Sequence, residues 1–245
     1  MRAKIFLQKV SGSSLSYNYQ YYLASMLYKK LALVDTILAN ELHSTKQFKF
    51  YTFSNIIIED KKRSEMGLNF NNAHIFLSSP DKNFICSFTD GLLQNPVFRL
   101  NGMQLIVKQI EILRELRIDK ETYTVYTLSP IYIKTQREVD GKLKEWDLYP
   151  MDGKWYENLH QNLVSRYKEY YGYLPTEDFF EILKINSFKG KRVQIDNSFR
   201  RCSLLNFILH ASKELMKFAY DAGLGEKNAM GFGQIEIKDA LLNKL

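Results

Sequence analysis

Residues 223–233, GLGEKNAMGFG, hold four of the chain's twelve glycines, arranged as G-x-G, five residues, and G-x-G again. Glycine reaches φ > 0 without steric cost and puts no Cβ between the backbone and its neighbours. Such a loop, with Lys227 and Asn228 in its middle, can turn N–H groups toward phosphate oxygens. The competing reading is a pair of tight turns that close a sheet. A dinucleotide fingerprint is excluded by order, because it needs strand, G-x-G-x-x-G and helix. Here the helical KELMKFAYDA (213–222) comes first and the strand-like QIEI (234–237) last, and no G-K-[ST] follows the glycines to make a P-loop.

A second constellation is basic. Lys184, Lys189, Lys191, Arg192, Arg200 and Arg201 surround a single acid, Asp196, with Phe188 and Phe199 interleaved. Cations and rings in this pattern can track phosphates and stack on bases. They can equally be a solvated sheet edge guarded by charge. The run KKR at 61–63 is a lesser candidate. His43, His74, His160 and His210 are dispersed, none with a Cys or His at ligand spacing, so no metal site is expected. There is no G-x-S-x-G elbow, and neither cysteine has the flanks of a nucleophile motif. An enzyme made from this chain would work by side-chain acid–base chemistry alone.

The elements that carry these residues can be read from periodicity. AKIFLQKV (3–10) alternates like a strand, and residues 17–34 have apolar side chains at helical spacing. A short helix follows over 35–42, with Asp35 as its expected N-cap. Strands are expected over 48–58 and 73–79, a helix over 81–95, and strand material over 97–113 broken at Asn101–Gly102. After a charged linker at 114–121, strands are expected at 122–136 and 143–149, and an amphipathic helix at 153–172. A strand pair at 179–195 and 202–212 then precedes helix, glycine loop and last strand. Both halves thus read β-α-β-β-α-β, and the fold class is α+β, two tandem ferredoxin-like domains over 1–118 and 119–245.

At 245 residues and 45% hydrophobic composition, the chain can fill the cores of two such domains. Its net charge of +7 favours a polyanionic partner. The excess is uneven: residues 1–120 carry 16 Lys/Arg against 10 Asp/Glu. Cys86 and Cys202 lie in apolar surroundings and read as buried free thiols, which fits a reducing cytoplasm. No apolar run approaches the length of a membrane span, and the N-terminus is too charged for a signal peptide.

Four segments carry a resemblance: YNYQYYLASMLY (17–28), LHSTKQFKFYTFS (42–54), LSPIYI (128–133) and GLGEKNAMGFGQIEI (223–237). In this order they resemble the CRISPR-associated endoribonuclease family often called Cas-six, over nearly the whole chain. The glycine loop alone resembles the signature of the wider repeat-associated RNA-binding superfamily. The resemblance implies an enzyme that cuts the repeat sequence of precursor CRISPR RNA. It assigns the catalytic roles to Tyr28, His43 and Lys49, with Lys46 as a further basic position. Tyr51 departs from the family pattern, at a position that is often plainly hydrophobic and outside the proposed set. No cofactor or metal is implied. The implied partners are precursor and mature guide RNA, with a homodimer and a CRISPR effector complex as candidate assemblies and no membrane.

The chemistry so implied is transesterification. The ribose 2′-OH attacks its own 3′ phosphate, the 5′ oxygen leaves, and a 2′,3′-cyclic phosphate or its 3′-phosphate product remains. His43 is the natural proton carrier, since imidazole titrates near neutrality. Lys49 would meet the charge on phosphorus, and Tyr28 would serve as acid, base or orienting group. The RNA would also lie on Lys184, Lys189, Lys191, Arg192, Arg200 and Arg201, and on Gly223, Gly225, Lys227, Asn228, Gly231 and Gly233. Two rivals remain open: a non-catalytic CRISPR RNA-binding subunit of the same superfamily, and a general tandem RRM-like protein. The second lacks the usual RNP stacking motif.

Overall fold

The computed structural model describes residues 1–44, 48–59, 62–64, 67–195 and 198–238, with 43, 44 and 62–64 described through their backbone alone. Strand β1 (Arg2–Ser11) buries Ala3, Ile5 and Leu7 at alternate positions, as a strand with one face on a core must. Helix α1 (Gln20–Ala32) turns Leu23, Ala24, Leu27 and Leu31 into the same core. Helix α2 (Thr36–Ser44) begins where Asp35 accepts the Leu38 N–H at 2.9 Å, the capping role expected of it. Short strands β2 (Thr52–Phe53) and β3 (Ile57–Ile58) follow, then the hairpin of β4 (Lys62–Ser64) and β5 (Gly67–Asn69). Strand β6 (Asn72–Ser78), helix α3 (Lys82–Gln94), β7 (Val97–Leu100) and β8 (Met103–Ile112) complete the half. The Asn101–Gly102 break is the turn between β7 and β8, with φ of 38° and 92°.

The second half opens with β9 (Thr122–Thr127) and a separate ribbon, β10 (Lys134–Val139) with β11 (Lys142–Asp147). Helix α4 (Gly153–Tyr171), the long strands β12 (Phe180–Ile195) and β13 (Ser198–Ala211), helix α5 (Lys213–Ala222) and β14 (Ile235–Lys238) follow. The sheet orders are β2-β6-β1-β8-β7 and β12-β13-β9-β14. β1 lies between β6 and β8, and β9 between β13 and β14, the ferredoxin-like arrangement, and each sheet and its helices enclose a core of their own. Buried Arg2 ties the halves: its guanidinium donates to Tyr220 O at 2.7 Å and Ile235 O at 2.9 Å, and pairs with Glu236.

Three expectations are corrected. The stretch 48–58 is not one strand, because only Thr52–Phe53 and Ile57–Ile58 pair with β6, while the Asn55 N–H turns across to Leu128 O at 3.0 Å. The stretch 122–136 also divides. Leu128 and Ser129 both donate to Gln234 O, Pro130 has no N–H to give, and Ile131 bridges to Ser203 instead. Residues 134–139 then leave for the ribbon. Finally, both cysteines are free, but only Cys202 is buried. Cys86 is exposed because α3 turns Phe84, Ile85, Phe88 and Leu92 inward, and position 86 falls on the opposite side of the helix.

Candidate active site

Tyr28 lies in the third turn of α1, half-buried at the contact of α1 with α2. Its hydroxyl donates to Leu42 O at 3.3 Å, in the last turn of α2 and directly before His43. Lys49 Nζ sits 5.3 Å from the centre of the Tyr28 ring. The backbone thus brings Tyr28, Lys49 and the His43 position to one edge of the first half. The His43 side chain and all of Lys46 lie outside the described residues. Tyr51, set apart from this group by sequence, belongs to it in space. Its ring meets Tyr28 edge-on at 6.5 Å and stacks on Phe84 at 4.5 Å. Burial, then the charge and hydrogen bond of Tyr28, push the Tyr51 hydroxyl pKa well above its ordinary value.

Lys49 also lines a cleft of about 280 Å³ between the halves. Its other walls are Phe48, Asn162 and Arg166 of α4, and the glycine loop from Gly225 to Met230. The loop closes tightly on its surroundings. A Cβ on Gly233 would stand 1.8 Å from Leu224 O, and one on Gly231 would stand 2.4 Å from the Phe53 ring. Gly223, Gly225, Gly231 and Gly233 all have φ between 72° and 83°, a region that costs other residues strain. The idea of bare amides needs correction here. The N–H groups of Gly223, Leu224, Glu226, Met230, Gly231 and Gly233 donate to carbonyls within the protein, because the loop must satisfy its own buried backbone. Asn228, also buried, donates to Leu224 O and Phe232 O. What the loop turns outward is Lys227, whose pKa is lowered by burial first and then by Arg200 and Lys134.

Arg166 was not foreseen. It is fully buried, and its guanidinium donates to Ala222 O at 2.6 Å and Gly223 O at 2.9 Å, where α5 ends and the loop begins. Burial lowers its pKa to about 9. The signal was available: Trp155, Leu159, Leu163, Arg166 and Tyr167 make one helical stripe, and an arginine in an apolar stripe requires partners.

The basic strand pair forms with the register Arg192↔Arg201, Lys191↔Cys202 and Val193↔Arg200. Alternation therefore divides its charges between two faces. Arg192, Arg201 and Phe199 share the outer face, with the Arg192 guanidinium 4.2 Å from the Phe199 ring centre. On the other face Arg200 is paired with Glu145 at 2.9 Å and Asp147 at 3.8 Å. Those acids come from β11, so Asp196 is not the only acid in play; Asp196 itself lies outside the described residues. Lys191 has its pKa lowered by burial. Lys184 and Lys189 are exposed. Phe188 packs against Tyr149 and the second core rather than standing free. Asn18 donates to Gln194 at 3.3 Å near the tip of this pair. From Gln20, Tyr28 is roughly 12 Å further along α1 at 1.5 Å per residue. Among the described residues no three His, Cys, Asp or Glu side chains cluster as metal ligands would, and no helix is long and apolar enough to cross a membrane.

Two family models cover nearly the whole chain: "CRISPR-associated protein Cas6, N-terminal" over residues 14–111 and "CRISPR associated protein Cas6, C-terminal" over 113–237. The chain is 38% identical to CRISPR-associated endoribonuclease Cas6 1 of Methanocaldococcus jannaschii, over 96% of this chain and 92% of that protein. A solved structure of a Cas6-related gene product from Pyrococcus furiosus superposes with a TM-score of 0.90 at 32% identity, covering 98% of both chains. Another, of a RAMP protein binding different RNA substrates, has a TM-score of 0.90 at 28% identity and covers 98% of this chain and 100% of its own.

Proposed function

The chain belongs to the Cas6 family of CRISPR-associated proteins, and from that footing we propose that it is an endoribonuclease that cuts the repeat sequence of precursor CRISPR RNA without a metal. Relatives named as endoribonucleases support the activity. The observation that carries the mechanism is the edge where the Tyr28 hydroxyl meets the carbonyl before His43 and Lys49 lies over the Tyr28 ring. In the reaction, the 2′ oxygen bonds to the adjacent phosphorus, the bond from phosphorus to the 5′ oxygen breaks, and a 2′,3′-cyclic phosphate and a 5′-hydroxyl result. His43 moves the proton, Lys49 offsets the charge that gathers on the phosphoryl oxygens, and Tyr28 orients. Tyr28 suits orientation because its own hydroxyl is held by Leu42 O and its ring rests edge-on against Tyr51. The division of labour follows the two cores: residues 1–118 supply the chemistry, and 119–245 supply most of the basic surface that holds the RNA.

The test is cleavage of a panel of repeat RNAs in EDTA. Cutting should persist, leave a 5′-hydroxyl on the downstream fragment, and stop when the ribose at the cut site lacks its 2′-OH. A deoxy substrate cut at the normal rate would disprove 2′-OH attack. Tight binding of every repeat with no cutting would favour the non-catalytic member of the superfamily.

A further inference from the structure

The β10–β11 ribbon belongs to neither ferredoxin-like sheet, and its two faces differ in charge. The register Thr135↔Trp146, Arg137↔Lys144 and Val139↔Lys142 puts Arg137, Lys142, Lys144 and Trp146 on one face. Glu138, Glu145 and Asp147 fall on the other. The basic face carries no carboxylate of its own; the nearest described ion-pair partner is Asp152, 3.8 Å from Arg137. Trp146 is 39% exposed. The Arg137 guanidinium lies 4.7 Å and the Arg201 guanidinium 5.3 Å from its ring. Arg201 joins this face to β13, where its cross-strand partner Arg192 lies over exposed Phe199. Arg201 holds to the ribbon through the Asp147 main-chain carbonyl at 3.4 Å and through its own N–H to the Asp147 carboxylate at 2.8 Å.

A structural ribbon has no need to expose an indole. Tryptophan carries a large apolar area that folding normally hides, yet here it stands outward among cations. Rings and guanidinium planes side by side on a positive surface are what unstacked bases and their phosphates require. Charge complementarity therefore points to a single-stranded nucleic acid rather than to a protein partner.

We propose that this ribbon is a second RNA contact surface, on which Trp146, framed by Arg137 and Arg201, stacks a base of a single-stranded segment. The contact continues the outer face of β12–β13 and rests on the RNA-binding reading above. It predicts that binding here tolerates sequence, because every base offers a π-face.

The chain has two tryptophans, and the other, Trp155, is fully buried, so a change of emission on RNA binding reports Trp146. Titrating the full chain with oligoadenylate should quench part of the emission. Trp146→Phe should remove the quench and keep affinity within about threefold, since a ring remains. Trp146→Ala should weaken binding by roughly five- to 150-fold, the range of base–aromatic stacking on alanine substitution. Its melting temperature should hold, because Trp146 is in neither core. A quench that survives in Trp146→Phe, or unchanged affinity in Trp146→Ala, overturns the ribbon assignment. If repeat RNA is still bound and cut in that case, the enzyme reading stands without it and the ribbon is left to a protein partner. A wild type that binds no RNA overturns both.

Discussion

The glycine loop and the outer face of the β12–β13 pair looked alike as phosphate-binding candidates, and they differ in almost every physical respect. The loop is packed so closely that a Cβ at Gly233 would overlap a carbonyl. Its amides donate inward, and its Asn228 is buried. The strand pair instead leaves Arg192, Arg201 and Phe199 at the surface with their charge unneutralised by an ion pair among the described residues. One is scaffold that fixes a cleft wall, and the other is surface that a ligand can reach. A change in the loop should therefore register first as stability, and a change on the strand pair as affinity and its dependence on salt. The Tyr28–Lys49 edge is a third kind of region, where only the rate of cutting should respond.

The largest effect separates that edge from the other two. Replacing His43 by Ala should lower the single-turnover cleavage rate by about 10²–10⁴-fold, the span of positioned proton transfer. Repeat-RNA affinity should stay within a few fold, because the proton carrier acts in the transition state. Filter binding and cleavage on the same preparation give both numbers. A mutant that cuts normally would remove His43 from the mechanism.

The next effect concerns the loop. Gly231→Val places a β-branched residue at φ 82° against the Phe53 ring. Left-handed strain of about 1–2 kcal/mol and overpacking of about 1–3 kcal/mol should together lower stability in urea unfolding. Cleavage should then fall with the folded fraction. A protein of unchanged stability and lost RNA binding would break the comparison, because it would make the loop a ligand surface after all.

Arg166 tests the same scaffold more gently. Arg166→Met keeps the packing of the α4 stripe and removes the donors to Ala222 O and Gly223 O. Leaving buried acceptors unsatisfied should cost about 1–3 kcal/mol, read as a lower unfolding midpoint. An unchanged midpoint would mean that water replaces the guanidinium without loss.

Why some of this could be read from the chain and some could not follows from the range of the interactions. Helix α4 was expected at 153–172 and runs Gly153–Tyr171, because its stripe and its Gly172 terminus are local signals. The two β-α-β-β-α-β orders emerged from the same kind of periodicity. The ribbon's second strand, β11, is expected at 143–149, but its first is hidden because LSPIYIKTQ reads as a continuation of the strand that begins at 122. Ile131, Tyr132 and Ile133 are indeed buried, but their backbone partners are Ser203, Glu226 of the glycine loop and Leu148 rather than a continuing ladder. At the site, Lys49 lies 5.3 Å from the Tyr28 ring centre, a proximity of two residues 21 positions apart that the fold supplies. Tyr51 falls outside the set because it departs from the family pattern, and its contact with Tyr28, 23 positions away, is made only by the fold. Arg200 looked like one more cation because Glu145 and Asp147 reach it from another strand.

The smallest effect is the sharpest test of the strand pair, because the two faces make opposite predictions with the same chemistry. Each phosphate contact on a single strand contributes about 0.7 to the slope of log K against log salt. Arg192→Ala with Arg201→Ala removes two exposed cations from the outer face, so the slope should flatten by about 1.4. The loss should be similar for unrelated RNA sequences, since phosphates carry no sequence information. Arg200→Ala removes a charge already paired with Glu145, so its slope should match the wild type, and only stability should change slightly. Affinities at several salt concentrations for the three proteins decide it. Equal slopes throughout would make the pair a solvated edge. A flattened slope for Arg200→Ala alone would mean that the RNA displaces the Glu145 carboxylate and runs along the opposite face, past Lys189 and Lys191.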